Sequence, residues 1–154
     1  MARLNNLPEP LRSHIDKLPL PAIDSRSWVT GPPLNTRRVS LVSTAGLHLR
    51  GDRPFTLEPE DAYRVIPGDV GANELVMSHV STNFDRSAYQ QDINVVFPLE
   101  RLRELALQKV VGSVAGLHYS FMGALEPQTM KDSACKLARL LIEDGVDAVL
   151  LVPV

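Results

Sequence analysis

Arg38-Val39-Ser40-Leu41-Val42-Ser43-Thr44-Ala45-Gly46 is the stretch whose reading decides the fold. Val39, Leu41 and Val42, with only small serines between them, make a short strand that is apolar on both faces. Such a strand needs cover on both sides, as in a parallel sheet with helices above and below. It runs into a turn of small residues, Ser43 to Gly46. Beyond it, residues 63–66 read as a second strand, stopped by Pro67-Gly68, and residues 75–80 as a third. A polar loop over 81–92 and a short apolar stretch over 93–97 follow. Pro98 then opens a helix. Leu99, Leu102, Leu105, Ala106 and Val110 recur at helical spacing opposite Glu100, Arg101, Arg103 and Glu104, and Gly112 lies past the end. Residues 113–119 predict another strand. A second helix starts near Pro127, with Met130, Ala134, Leu137, Ala138 and Leu141 on one side and Gly145 as its stop. Residues 148–152 predict a buried strand. This order of strands and helices implies an α/β fold: a layered, mostly parallel sheet with flanking helices, Rossmann-like, truncated after the last predicted strand. The chain stops at Val154, where an active-site loop of such a sheet would begin.

Upstream, residues 1–36 differ in kind. They hold Pro8, Pro10, Pro19, Pro21, Pro32 and Pro33, half of the 12 prolines. Proline fixes φ and removes a donor, so this part predicts an N-terminal arm with one short helix near 9–18, anchored by Trp28. Residues 37–154 form a single α/β domain. With 154 residues, 44% hydrophobic and 22% charged, the chain is large enough to fold without staples. The net charge of −2 predicts no general attraction to nucleic acid or anionic membrane. No apolar run reaches the ~18 residues of a spanning helix, and residues 1–10 lack a signal-peptide core. The expected compartment is the cytoplasm. Cys135 is the only cysteine, so neither an internal disulfide nor a CxxC pair exists.

Four stretches carry a family resemblance. They are Val42-Ser43-Thr44-Ala45-Gly46-Leu47; His79 with the loop Asp85…Asp92-Ile93-Asn94; Val96-Phe97-Pro98-Leu99-Glu100-Arg101-Leu102-Arg103-Glu104-Leu105; and Gly145-Val146-Asp147-Ala148-Val149-Leu150-Leu151-Val152-Pro153. Together, over roughly residues 38–154, they resemble the selenoprotein B family of glycine, sarcosine and betaine reductases and the related D-proline reductase subunit. The resemblance implies a redox pair directly after the last strand: selenocysteine or cysteine, two residues, then cysteine. The selenol or thiol attacks carbon and displaces an amine, and thiol chemistry regenerates it. This chain lacks that pair, so as given it is expected to be inactive. Selenocysteine is encoded by UGA, ordinarily a stop, and the expectation is a redox residue at the position after Val154. The resemblance further implies partner subunits of a reductase complex, with a pyruvoyl group on one of them.

The ends of parallel strands share one edge, which sets the candidate site. His79 is the expected proton donor for the leaving amine or developing carbanion, with His118 as its pair or as a carboxylate ligand. Ser43, Thr44, the turn amides near Gly46, and Ser120 are the expected cradle for a substrate carboxylate. Asp92 and Asn94, with Asp85, are expected to orient a substrate amine, although both residue types also bind backbone in turns. His48, between Leu47 and Leu49, predicts the solvent face of an edge strand. His14 reads as solvated, and Cys135 and Met130 as buried structure.

The leading function is therefore a selenol- or thiol-dependent reductase subunit that cleaves a C–N or similar bond in a small, carboxylate-containing, amino-acid-like substrate. One alternative is a redox-inactive module for small-molecule binding or complex assembly, with a homo-oligomer closing the unfinished sheet edge. The minor alternative is a metal-dependent hydrolase using His79, His118 and an Asp, but no HxxxH, HxH or HExxH spacing supplies a metal site, and none is expected.

Overall fold

The computed structural model describes residues 7–17, 29–56, 58, 62–81 and 86–154. Its central strand is β1 (Arg38–Ser43). Along one flank of β1 run two short strands in series, β5 (Ser113–Val114) and β6 (Leu117–Phe121), both parallel to it. Along the other flank runs β7 (Ala148–Val152), also parallel, in continuous register from Val39↔Ala148 to Ser43↔Val152. β3 (Tyr63–Pro67) closes the far side by pairing antiparallel with β6. The sheet is thus mostly parallel, as expected, but its β3 edge is not. A second correction concerns the strand expected over 75–80. β4 is only Leu75–Met77, and it pairs antiparallel with β2 (Leu47–Leu49) in a separate ribbon.

Alternation along β1 divides the core. Val39 and Leu41 face one layer with Phe97 and with Leu99 and Leu102 of helix α3 (Leu99–Leu107). Val42 faces the other with Tyr119, Phe121 and Leu137 of helix α4 (Lys131–Glu143). Helices on both faces are what an apolar central strand requires. At the start of β1, Arg38 ties the layers together. Its guanidinium donates to the Asp144 carbonyl (2.8 Å) and carboxylate (2.7 Å) at the end of α4, and its amide donates to Asp147 Oδ2 (3.0 Å). A cation on the last carbonyls of a helix also complements the helix dipole.

The strand expected over 113–119 is broken at Ala115-Gly116, and side chains fill the break. The Leu41 amide of β1 donates to His118 Nδ1 (2.9 Å), and Ser40 Oγ donates to the Leu117 carbonyl (2.9 Å). Buried backbone donors need partners, and here an imidazole supplies one.

Other expectations are corrected by burial. Among the described residues β7 is an edge strand: only β1 pairs with it, and Val149, Leu150 and Leu151 are 39%, 40% and 69% exposed. His48 is 3% exposed beneath an edge-on contact with Phe55, and Cys135 is exposed on α4. Met130 packs against the α4-side core as expected. In the arm, α1 spans Glu9–Asp16, while Trp28 lies outside the described residues. The expected polar loop contains a short helix, α2 (Ser87–Gln91). Among the described residues no helix is long and apolar enough to cross a membrane.

Candidate functional site

The carboxyl ends of β1 and β7 meet at Thr44. Its amide donates to the Val152 carbonyl (3.1 Å), and its Oγ1 accepts from the Val154 amide (2.8 Å) while lying 3.3 Å from the Val154 carbonyl. One side chain therefore fixes the path of the polypeptide two residues beyond β7. The Thr44 carbonyl accepts from the Gly123 amide (3.0 Å). Gly123 sits just past β6, and a Cβ there would lie 2.7 Å from the Thr44 carbonyl oxygen and 3.1 Å from His79 Nε2. Those two distances place the His79 ring beside Thr44 and Gly123. Thr44, His79 and Gly123 thus share one end of the sheet, next to the Val154 backbone.

His79 lies two residues beyond β4, not within a strand. Its main chain packs on Gly46, whose φ of +64° puts it in the left-handed region. A Cβ on Gly46 would meet the Cα and N of His79 at 3.1 Å each. The His79 side chain is buried, at 5% exposure, and its Nδ1 accepts from the Ser81 amide (3.1 Å). An accepting Nδ1 leaves the proton on Nε2, the nitrogen nearest Gly123. Arg86 donates from one guanidinium nitrogen to the His79 carbonyl (2.7 Å) and to the Ser81 carbonyl. Burial, and then the Arg86 charge, hold the His79 pKa below the ordinary imidazole value. The ring is therefore neutral at neutral pH. A neutral ring that accepts at Nδ1 can donate a hydrogen bond only from Nε2.

The rest of the expected cradle is differently employed. Ser43 Oγ donates to the Val96 carbonyl (2.7 Å) and accepts from the Ala45 amide (3.2 Å). Ser120 Oγ accepts from the Leu47 amide (2.8 Å), and the Gly46 amide donates to the Phe121 carbonyl (2.9 Å). With the Thr44 amide given to Val152, every amide of the 44–47 turn has an internal acceptor. Of the residues expected to cradle a carboxylate, Ser43, Gly46 and Ser120 make internal bonds that fasten the turn carrying Thr44.

His118 is also corrected in place. It is the second residue of β6, not the end of a strand, and it is fully buried against Phe97 with Nδ1 on the Leu41 amide. Burial, then the charges of Arg103 and Arg38, lower its pKa to about 4. It is a neutral core histidine.

Asp92 and Asn94 lie on the approach to α3. Asp92 accepts from the Asn94 amide (2.9 Å) and side chain (2.8 Å), and those two bonds hold its pKa below the usual carboxylate value. Asn94 Nδ2 also donates to Glu100 Oε2 (2.9 Å). Asp92 and Glu100 line an open groove of about 500 Å³ with Tyr89, Gln90 and Gln91. Asp85 lies outside the described residues. Among the described residues no three of His, Cys, Asp and Glu converge as a metal site would require.

Sequence reasoning missed Ser81, Arg86 and Gly123. An arginine in a polar loop reads as solvated, and no spacing marks 81 and 86 as partners of 79. Gly123, two residues past an apolar strand, is a legible signal of a close approach.

Comparison with known proteins bears on this arrangement. The family model for glycine/sarcosine/betaine reductase selenoprotein B matches residues 19–154. The D-proline reductase subunit gamma of Acetoanaerobium sticklandii is 35% identical over 133 residues, covering 80% of this chain and 54% of that protein. The sarcosine reductase complex component B subunit beta of Peptoclostridium acidaminophilum is 28% identical over 138 residues, covering 86% of this chain and 30% of that protein. The chain thus spans about half of one curated relative and under a third of the other. No solved structure gives a significant match. On the breadth of the family match and the 35% identity, the chain belongs to the glycine/sarcosine/betaine reductase selenoprotein B family.

Proposed function

We propose that this chain is the part of a selenol- or thiol-dependent reductase subunit that frames the reacting group, and that the reaction cleaves a C–N bond in a small amino-acid-like carboxylate. The observation that carries the reading is the Thr44 bond to Val154 beside His79 Nε2. A selenocysteine or cysteine placed directly after Val154 would start from this anchor, at the end of the sheet that holds Thr44, His79 and Gly123. Its anion attacks the substrate carbon, forming a carbon–selenium or carbon–sulfur bond, and the amine leaves with the bonding pair and takes up a proton. A second thiol then attacks the selenium or sulfur. The carbon departs with its electron pair and is protonated, and the two chalcogens end as an oxidised pair. External thiols reduce that pair, so the substrate gains two electrons and two protons overall.

In this scheme His79 donates its Nε2–H bond to the chalcogen anion, and Thr44 positions the backbone that carries it. His118 supplies a dry core, and Asp92 and Asn94 remain the candidates for meeting a substrate amine. A reducing compartment suits an exposed selenol, so the cytoplasm is the proposed location. Other subunits of a reductase complex are the proposed partners, and any pyruvoyl group is left to one of them.

The test is to express the polypeptide with the redox pair restored and follow thiol-dependent amine release. Activity that is lost on His79→Ala with the fold intact supports the reading. Full activity in that variant removes His79 from it. A second reading, a redox-inactive assembly module, draws on the open apolar edge of β7. Equal capture of a reductase subunit by the chain with and without the redox pair would favour that reading.

A further inference from the structure

The 79–81 turn holds the imidazole from its own main chain, and a side chain from outside the turn holds that main chain. The Ser81 amide donates to His79 Nδ1 across one intervening residue. That contact lasts only while something holds the spacing of its two ends. Arg86 does so from five residues further on, donating from one guanidinium nitrogen to both carbonyls of the turn, those of His79 and Ser81. A planar cation bridging two carbonyls fixes their spacing, which a single lysine ammonium does less rigidly.

We propose that Arg86 is a positioning residue that clamps residues 79–81, so that Ser81 caps His79 Nδ1 and the ring holds its Nε2–H toward Thr44 and Gly123. Arg86 acts through His79 and touches no reacting atom. Without the clamp, the Ser81 amide exchanges with water more readily and the ring loses part of its Nε2–H preference. The importance of this for catalysis rests on the function proposed above; the clamp itself does not.

The protein carries its own references for the test. His48 Nδ1 lies 2.7 Å from the Leu49 carbonyl, which only accepts, so His48 is the Nδ1–H tautomer. His118 accepts at Nδ1 from Leu41, so it is the Nε2–H tautomer. In the 15N-histidine-labelled chain, long-range 1H–15N spectra at neutral pH should show His79 as a single Nε2–H form, matching His118 and opposite to His48. In Arg86→Met the His79 signals should move to a mixed-tautomer average and Ser81 amide exchange should quicken at least tenfold, with His48 and His118 unchanged. Arg86→Lys should recover part of the Nε2–H population. A single unshifted Nε2–H form and unchanged Ser81 protection in Arg86→Met would overturn the inference. If His48 and His118 also shift, Arg86→Lys decides: a wild-type fold with no intermediate tautomer population overturns it too. In the redox-restored enzyme, a changed tautomer with unchanged kcat would sink the donor role of His79 and leave the clamp standing.

Discussion

Gly46 and Gly145 both sit at positive φ, +64° and +66°, but in opposite surroundings. A Cβ on Gly145 would meet nothing within 4 Å, whereas one on Gly46 would lie 3.1 Å from two backbone atoms of His79 and 3.2 Å from Met122 Cε. The pair therefore separates backbone strain from close approach. An alanine held in the left-handed region costs about 1–2 kcal/mol at either site. At Gly46 the His79 main chain must also shift by a few tenths of an ångström, an overpacking cost of about 1–3 kcal/mol. The loss of unfolded-state entropy on Gly→Ala is the same for both and cancels in the comparison. With a urea m-value of about 2 kcal/mol/M, Gly145→Ala should lower the midpoint by about 0.5–1 M and Gly46→Ala by about 1–2.5 M. Equal shifts in the two variants, within about 0.3 M, would refute the packing of His79 on the Thr44 turn.

Three further outcomes follow from the same geometry. The His118 pKa near 4, against 6.5 unfolded, means that stability is full above about pH 6.5 and falls as the pH drops toward 4, by about 3 kcal/mol. His118→Asn, which retains an acceptor for the Leu41 amide, should flatten most of that slope in urea midpoints taken at pH 7 and pH 4.5; an unchanged slope would contradict a buried neutral ring. Ser43→Ala removes a fully buried hydroxyl that serves Val96 and Ala45, and calorimetry should show a loss of about 1–3 kcal/mol. Thr44→Val should leave global stability within about 1 kcal/mol yet speed hydrogen exchange at the Val154 amide, because only the terminal anchor is lost; unchanged exchange would mean that Thr44 does not hold this segment.

The parts of the fold that were legible are those where pattern and packing coincide. Leu99 and Leu102 are buried as the helical stripe predicted, and Val39, Leu41 and Val42 are covered on both faces. Residues 148–152 misled because an all-apolar run specifies its own preference and not its neighbours, and among the described residues β1 alone pairs with it, on one edge. His48 misled in the opposite sense: alternation with Leu47 and Leu49 predicts a wet face, but the β2–β4 ribbon folds that face under Phe55. For the site, His79 and Thr44 were legible as residues near strand ends. Their geometry was not, because it depends on Arg86 and Gly123, whose roles exist only through contacts distant from any motif. Ser43 and Ser120 show the converse. Small hydroxyl residues at a strand end suit a ligand cradle, and here the backbone claims them first.

β1 draws its two ladders from far along the polypeptide: Leu41 meets His118, 77 residues later, and Val39 meets Ala148, 109 residues later. Contacts of such separation are slow to form. At the usual rate of synthesis, on the order of 5–20 seconds pass between the making of β1 and of its last partner. Until β6 is made the central strand has both edges open, and until β7 is made it still has one. The nascent chain is then a natural client for a holdase, and slowed translation over residues 118–148 should raise its aggregation more than the same delay before residue 38.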